Sequence, residues 1–132
     1  MAKIIFCEDE ERIQKLIRIM LRETSHEVYT ASDGVEGLAL IERERPDLIF
    51  TDVSMPSCDG FQLAEAVKAQ PHLAHIPIIF VTAFAQRTEM EEGYRHGAIG
   101  YLIKPFSPAA LREKINAFAN AAHAESLHTS KV

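Results

Sequence analysis

Five short apolar runs, each followed by a segment with helical spacing, constrain this chain more than any other feature. The runs are Lys3–Cys7, Glu27–Ala31, Asp47–Asp52, Ile76–Thr82 and Gly100–Lys104. Each is rich in Ile, Val, Phe or Tyr and is bounded by charge, Pro or Gly, which predicts five strands. After the first run, Ile13, Leu16, Ile17, Met20 and Leu21 fall on one stripe and predict an amphipathic helix. Asp33 and Glu36 have the spacing of a capping box and open a second helix that presents Val35, Leu38 and Ile41. A third carries Phe61, Ala64 and Val67 and stops near Pro71. The fourth is predicted around Thr88–His96, with Gly93 inside it and an apolar face of only Met90 and Tyr94. The fifth starts with Ser107 as N-cap and Pro108 at the first helical position, then continues through Leu111, Ile115, Phe118 and Ala122.

This alternation predicts an α/β fold, a parallel sheet with helices on both faces and right-handed crossovers. The third and fourth strands are nearly continuous apolar runs at Leu48–Phe50 and Ile76–Val81, as befits central strands. A length of 132 residues suits one core. Residues 1–122 are expected to form the domain, and 123–132 a short tail without periodicity. The balance of 47% hydrophobic and 25% charged residues excludes a disordered or collagen-like chain. With a formal charge of −5 and no basic block, no nucleic-acid partner is expected. Cys7 and Cys58 lack metal-like CxxC spacing and suit a reducing compartment. Glu8 and Asp9 come too early for a signal peptide. No apolar run approaches the ~20 residues that span a bilayer. A cytoplasmic protein with no membrane partner is therefore expected.

Ligands of an open parallel sheet sit beyond the C-terminal ends of its strands. There the sequence places Glu8-Asp9-Glu10, Asp52, Thr82-Ala83 and Lys104-Pro105, on the first, third, fourth and fifth strands. Glu8, Asp9 and Asp52 bring three negative charges together against Lys104 alone, an arrangement that like-charge repulsion disfavours. A hard divalent cation with oxygen ligands relieves it, and Mg²⁺ binds through one or two carboxylates plus phosphate. Thr82 and Lys104 are then suitable donors to phosphoryl oxygens. Taken singly, each residue has an ordinary explanation: Asp9 as a helix cap, Lys104 as a solvated ammonium. Agreement of four strand ends outweighs those explanations. The six histidines, among them His72 and His75 in a loop, fall away from this edge and offer no metal site.

In these residues the chain resembles the receiver domain of two-component response regulators, from Lys3 to about Ala122. The resemblance rests on Glu8-Asp9-Glu10, on Asp52 within DVSMPSCDG, on Thr82-Ala83, on Tyr101 and on Lys104-Pro105-Phe106, in the family's order. It implies a flavodoxin-like sheet of order 2-1-3-4-5 with five helices. It implies Asp52 as phosphoacceptor, and Mg²⁺ held by Asp9, Asp52 and the backbone carbonyl of Ser54, with Glu8 assisting. Lys104 is expected to pair with a phosphoryl oxygen and the Asp9 side of the site, and Thr82 hydroxyl and Ala83 N–H to hold the other oxygens. Lys104-Pro105 is expected to be cis. Pro56 and Gly60 would shape the loop after the acceptor. Tyr101 is the switch aromatic, expected to turn inward when Thr82 is drawn to the phosphate.

Several points depart from the family or vary within it. Glu8 stands where many relatives have Asp, and its extra methylene bears on direct ligation of the ion. Ser54 and Phe84 occupy two variable positions linked to phosphoryl lifetime, and a bulky Phe84 is expected to shield the phosphate and slow self-dephosphorylation. The implied function is a single-domain regulator. Its donor would be a histidine kinase or histidine phosphotransfer protein, and its output a downstream protein or a homodimer docked on the face of Tyr101, Ile99 and the fifth helix (Leu111–Phe118). A phosphorelay intermediate and a partner-only degenerate receiver are the variants. A hydrolase with an aspartyl-phosphate intermediate is disfavoured, because Ser54 stands where such enzymes need a second acid. Catalysis is expected to be confined to the chain's own phosphorylation and dephosphorylation.

Overall fold

A computed structural model describes residues 2–83 and 87–118 of the chain. The order of elements is β1 (Lys3–Cys7), α1 (Glu11–Leu21), β2 (Glu27–Ala31), α2 (Gly34–Glu44), β3 (Leu48–Asp52), α3 (Gly60–Lys68), β4 (Ile78–Thr82), α4 (Arg87–Arg95) and β5 (Gly100–Ile103). Residues 108–118 form a further helix, α5. All strand pairings are parallel, in the order β2-β1-β3-β4-β5. The implied order and five helices are thus as expected. The Ala122 end of α5, the tail and Phe84 lie outside the described residues.

Alternation along each strand divides the core into two layers, because successive side chains point to opposite faces of the sheet. Ile4 and Phe6 of β1, with Leu48 and Phe50 of β3, pack under Ile17 and Leu21 of α1 and Leu111 and Ile115 of α5. Ile5 and Cys7, with Ile49, pack on the other face with Ile41 of α2 and Leu63, Ala64 and Val67 of α3. Phe6 and Phe50 stack at 5.1 Å between centroids. Every residue of β3 and β4 is buried, which accounts for their unbroken hydrophobicity. Burial pushes the Cys7 thiol up to about 12, so Cys7 is a small core hydrophobe.

Helix ends follow local chemistry. Asp33 caps α2 by accepting from Glu36 N. Glu36 answers to Ser32 N rather than to the cap residue itself. The reciprocal capping box stands at α3, where Asp59 accepts from Gln62 N and the Gln62 side chain accepts from Asp59 N. Ser107 caps α5, accepting from Ala110 N at 3.0 Å. α2 stops at Arg45, whose φ of 46° is left-handed, just before Pro46.

Several boundaries differ from expectation, and β5 ends at Ile103 rather than Lys104. β3 begins at Leu48, and Asp47 just before it is tied to β1 twice, its N–H donating to Lys3 O and its side chain accepting from Lys3 N, both at 2.7 Å. β4 begins at Ile78, after Pro77, which has no N–H to offer a ladder. α4 runs one residue earlier than predicted, over Arg87–Arg95.

Candidate functional site

The C-terminal ends of β1, β3, β4 and β5 open on one cleft of about 680 Å³. Asp9, Asp52, Ser54, Thr82, Ala83 and Lys104, all selected from the sequence, line it. At its floor the Lys104 ammonium bridges two buried carboxylates, Asp52 Oδ1 at 2.7 Å and Glu8 Oε1 at 3.0 Å. Glu8 is wholly buried and Asp52 nearly so, whereas Asp9 is exposed. The expected pairing of Lys104 toward Asp9 is therefore replaced by pairing with Glu8. The reason is the cost of leaving a buried carboxylate without a counter-charge. The extra methylene of Glu8 carries its carboxylate to Lys104. Burial raises the pKa of Asp52, and the hydrogen bond and charge of Lys104 oppose that rise.

Backbone geometry fixes these groups. Gln14 of α1, buried on the face that also carries Ile17, donates to the carbonyl of Glu8 and to Ser32 Oγ. It anchors the β1–α1 turn, and sequence reasoning passed over it as one polar interruption of an apolar stripe. After Asp52 the chain must return sharply to α3. Gly60 N donates to Val53 O at 2.9 Å, and a Cβ on Gly60 would lie 2.3 Å from the Asp52 carbonyl oxygen. The glycine of the DG pair is thus a close-approach residue. Lys104-Pro105 is cis, as the resemblance implied.

Carboxylate oxygens of Glu8, Asp9 and Asp52 lie within 4.8 Å of one another. Such an oxygen donor set, only partly neutralised by Lys104, fits a hard cation such as Mg²⁺. Thr82, at the end of β4, donates its hydroxyl to Glu89 Oε1 at 3.1 Å. The Tyr101 ring is buried, with its hydroxyl 3.2 Å from Glu89 O and 3.0 Å from Met90 O. Its edge contacts with Phe80 and Tyr94 have centroids at 5.9 and 5.5 Å. Tyr101 is therefore inward in this structure. Glu89 was not singled out from the sequence, where it is one of several acids at a helix start.

His72 has one acidic neighbour across the fold: Glu42 Oε2 lies 3.0 Å from its Nε2, brought there by the last turns of α2. The pair is surface-exposed and distant from the cleft residues in sequence and element. Among the described residues no helix is long and apolar enough to cross a membrane.

The model of the family described as "Response regulator receiver domain" matches residues 4–116. This chain belongs to that family. Receivers are signalling domains rather than turnover enzymes, and they take Mg²⁺ at the acidic edge. This receiver is 35% identical to protein PilH of Pseudomonas aeruginosa, over 89% of this chain and 97% of PilH. It is 30% identical to chemotaxis protein CheY-3 of Vibrio cholerae, over 86% and 88% of the two chains. The solved structure of Vibrio cholerae CheY4 superposes with a TM-score of 0.85 at 35% identity, covering 89% of this receiver and 98% of CheY4. The receiver domain of sensor histidine kinase PA1611 from Pseudomonas aeruginosa, solved with a magnesium ion coordinated in its active-site cleft, gives 0.83 at 31% identity, over 90% and 98%. Other relatives are longer: the receiver spans 43% of the probable transcriptional regulator ycf27 of Galdieria sulphuraria, to which it is 36% identical over 86% of its own length.

Proposed function

We propose that the receiver accepts a phosphoryl group on Asp52 from a phosphohistidine donor and signals through phosphorylation-dependent binding of a partner protein. The observation that carries this reading is the Lys104 bridge between Asp52 and Glu8 at the floor of a cleft that Thr82 also lines. In the transfer, an Asp52 carboxylate oxygen forms a bond to phosphorus as the bond from phosphorus to the donor imidazole nitrogen breaks. Lys104 offsets the negative charge of the transferring group, while Thr82 hydroxyl and Ala83 N–H donate to its oxygens. Asp9, Asp52 and the Ser54 carbonyl, with Glu8 behind them, would hold Mg²⁺. When bound, the ion supplies positive charge that a carboxylate attacking another anion requires.

The donor is a histidine kinase or a histidine phosphotransfer protein, and the output surface is the α4–β5–α5 face. Tyr94, Ile99 and Ile103 support that choice, since all three are exposed large hydrophobics on α4, β5 or the turn between them. Isolated exposed hydrophobics are common, but a cluster marks a contact surface. The test is intact mass after incubation with Mg²⁺ and acetyl phosphate. One phosphoryl adduct on the parent and none on Asp52→Asn supports the reading. Equal adducts on both remove it.

A further inference from the structure

Glu89 is gripped at both ends by the two side chains that the family resemblance implies as a switch, Thr82 and Tyr101. Its carboxylate accepts from the Thr82 hydroxyl at 3.1 Å, and its backbone carbonyl accepts from the Tyr101 hydroxyl at 3.2 Å. It stands in the first turn of α4 and lines the same cleft as Asp52 and Lys104.

A hydroxyl has one proton to donate. Thr82 can give it to Glu89 or to a phosphoryl oxygen, but not to both. The two acceptors are also alike in sign. Phosphorylation replaces the Asp52 carboxylate, of charge −1, with an acyl phosphate of about −1.5 to −2, so it adds up to about one negative charge, carried on phosphoryl oxygens, to a cleft that already holds Asp9 and Glu89. Competition for the proton and repulsion between the acceptors act in the same direction, and both drive Glu89 off Thr82.

We infer that Glu89 is a positioning residue of this receiver: a carboxylate latch that occupies the Thr82 hydroxyl until a phosphoryl oxygen displaces it. This inference rests on the proposed acceptor role of Asp52. The latch holds the first turn of α4 against the end of β4 in the unphosphorylated protein. Its release frees the Glu89 side chain from the end of β4, while the inward Tyr101 keeps its bonds to the carbonyls of that turn. Arrival of the phosphate is thus transmitted to α4 through one residue that touches both switch side chains. The latch also sets a threshold, because each phosphorylation must break a hydrogen bond to an ionised acceptor, a stronger kind than a neutral one.

The experiment is Mg²⁺-dependent binding of beryllofluoride, a phosphoryl analogue, followed by fluorine NMR. It is run on the parent, Glu89→Ala, Thr82→Ala, Thr82→Ser and the two double variants. Alanine is tolerated at this helical position, and the two-by-two comparison isolates the coupling. Glu89→Ala is expected to bind about ten- to a hundredfold more tightly, the range to which a net hydrogen bond to a charged group converts. The gain should persist beside Thr82→Ser, which keeps the hydroxyl, and vanish beside Thr82→Ala. Binding no tighter than the parent overturns the latch. So does a gain that survives in Thr82→Ala, which would be simple relief of charge. If the parent itself binds no beryllofluoride with Mg²⁺ present, the acceptor-site reading falls, and the latch falls with it.

Discussion

Gly93 of α4 leaves open the space that the Tyr101 hydroxyl fills. A Cβ at Gly93 would lie 1.7 Å from that oxygen and 2.8 Å from a ring carbon of Phe80. From the sequence Gly93 reads as a weakness in a marginal helix, since glycine in a helix interior costs about 1 kcal/mol relative to alanine. The structure gives it a purpose. The notch lets Tyr101 reach the carbonyls of Glu89 and Met90.

Gly93→Ala should therefore evict Tyr101 from its inward position even though alanine favours the helix. Burial pushes the Tyr101 hydroxyl up to about 12. In the variant, NMR of the Tyr101 ring should show titration falling back toward the ordinary ~10. A ring that still titrates near its parent value would show that the notch is not needed.

The same hydroxyl makes stability sensitive to alkali. Its folded pKa is raised above the unfolded value, so between about 10 and about 12 the native state binds more protons than the unfolded state. Its contribution is complete below about 10 and is lost as pH rises toward 12. Urea unfolding across that window should show stability falling with pH, and less steeply in Tyr101→Phe. Identical slopes would contradict the assignment.

Lys104→Met should unfold more easily by about 3–5 kcal/mol, the range for breaking a buried ion pair on one side. The wholly buried Glu8 would be left without its counter-charge. Adding Glu8→Gln to the same chain should restore much of the loss. Denaturant titration of the two variants checks this, and an additive second loss would mean that the bridge is not what holds Glu8.

Gly60→Ala forces a Cβ to within 2.3 Å of the Asp52 carbonyl oxygen, a backbone atom that cannot move without shifting the strand end. A loss of about 1–3 kcal/mol is expected, with Mg²⁺ affinity weakened in parallel. Calorimetric titration with Mg²⁺ would reveal an unaffected site if the strand end does not in fact move.

Much of this architecture was legible because burial writes itself into the sequence. β3 and β4 are buried on both faces, so the apolar runs Leu48–Phe50 and Ile76–Val81 read as strands without help from neighbours. Once the sheet is parallel, the strand ends bring Glu8, Asp52, Thr82 and Lys104 to one edge. Who touches whom there was not legible. Lys104 turns to Glu8 because Glu8 is buried, and burial of a strand-end acid depends on α1 and Gln14 packing over it. Glu89 reaches Thr82 only because α4 docks with its first turn at the cleft. Likewise, the contact between His72 and Glu42 joins the end of α2 to the loop before β4, a pairing that no spacing within either segment announces.

The central claim is that Asp52 carries the phosphoryl group, and borohydride trapping tests it most directly. The protein is phosphorylated with Mg²⁺ and acetyl phosphate, reduced, digested and mapped by mass spectrometry. An aspartyl phosphate is reduced to homoserine. Homoserine at position 52 alone is the result predicted here; homoserine at another acid, or at none while an adduct is present, would contradict it.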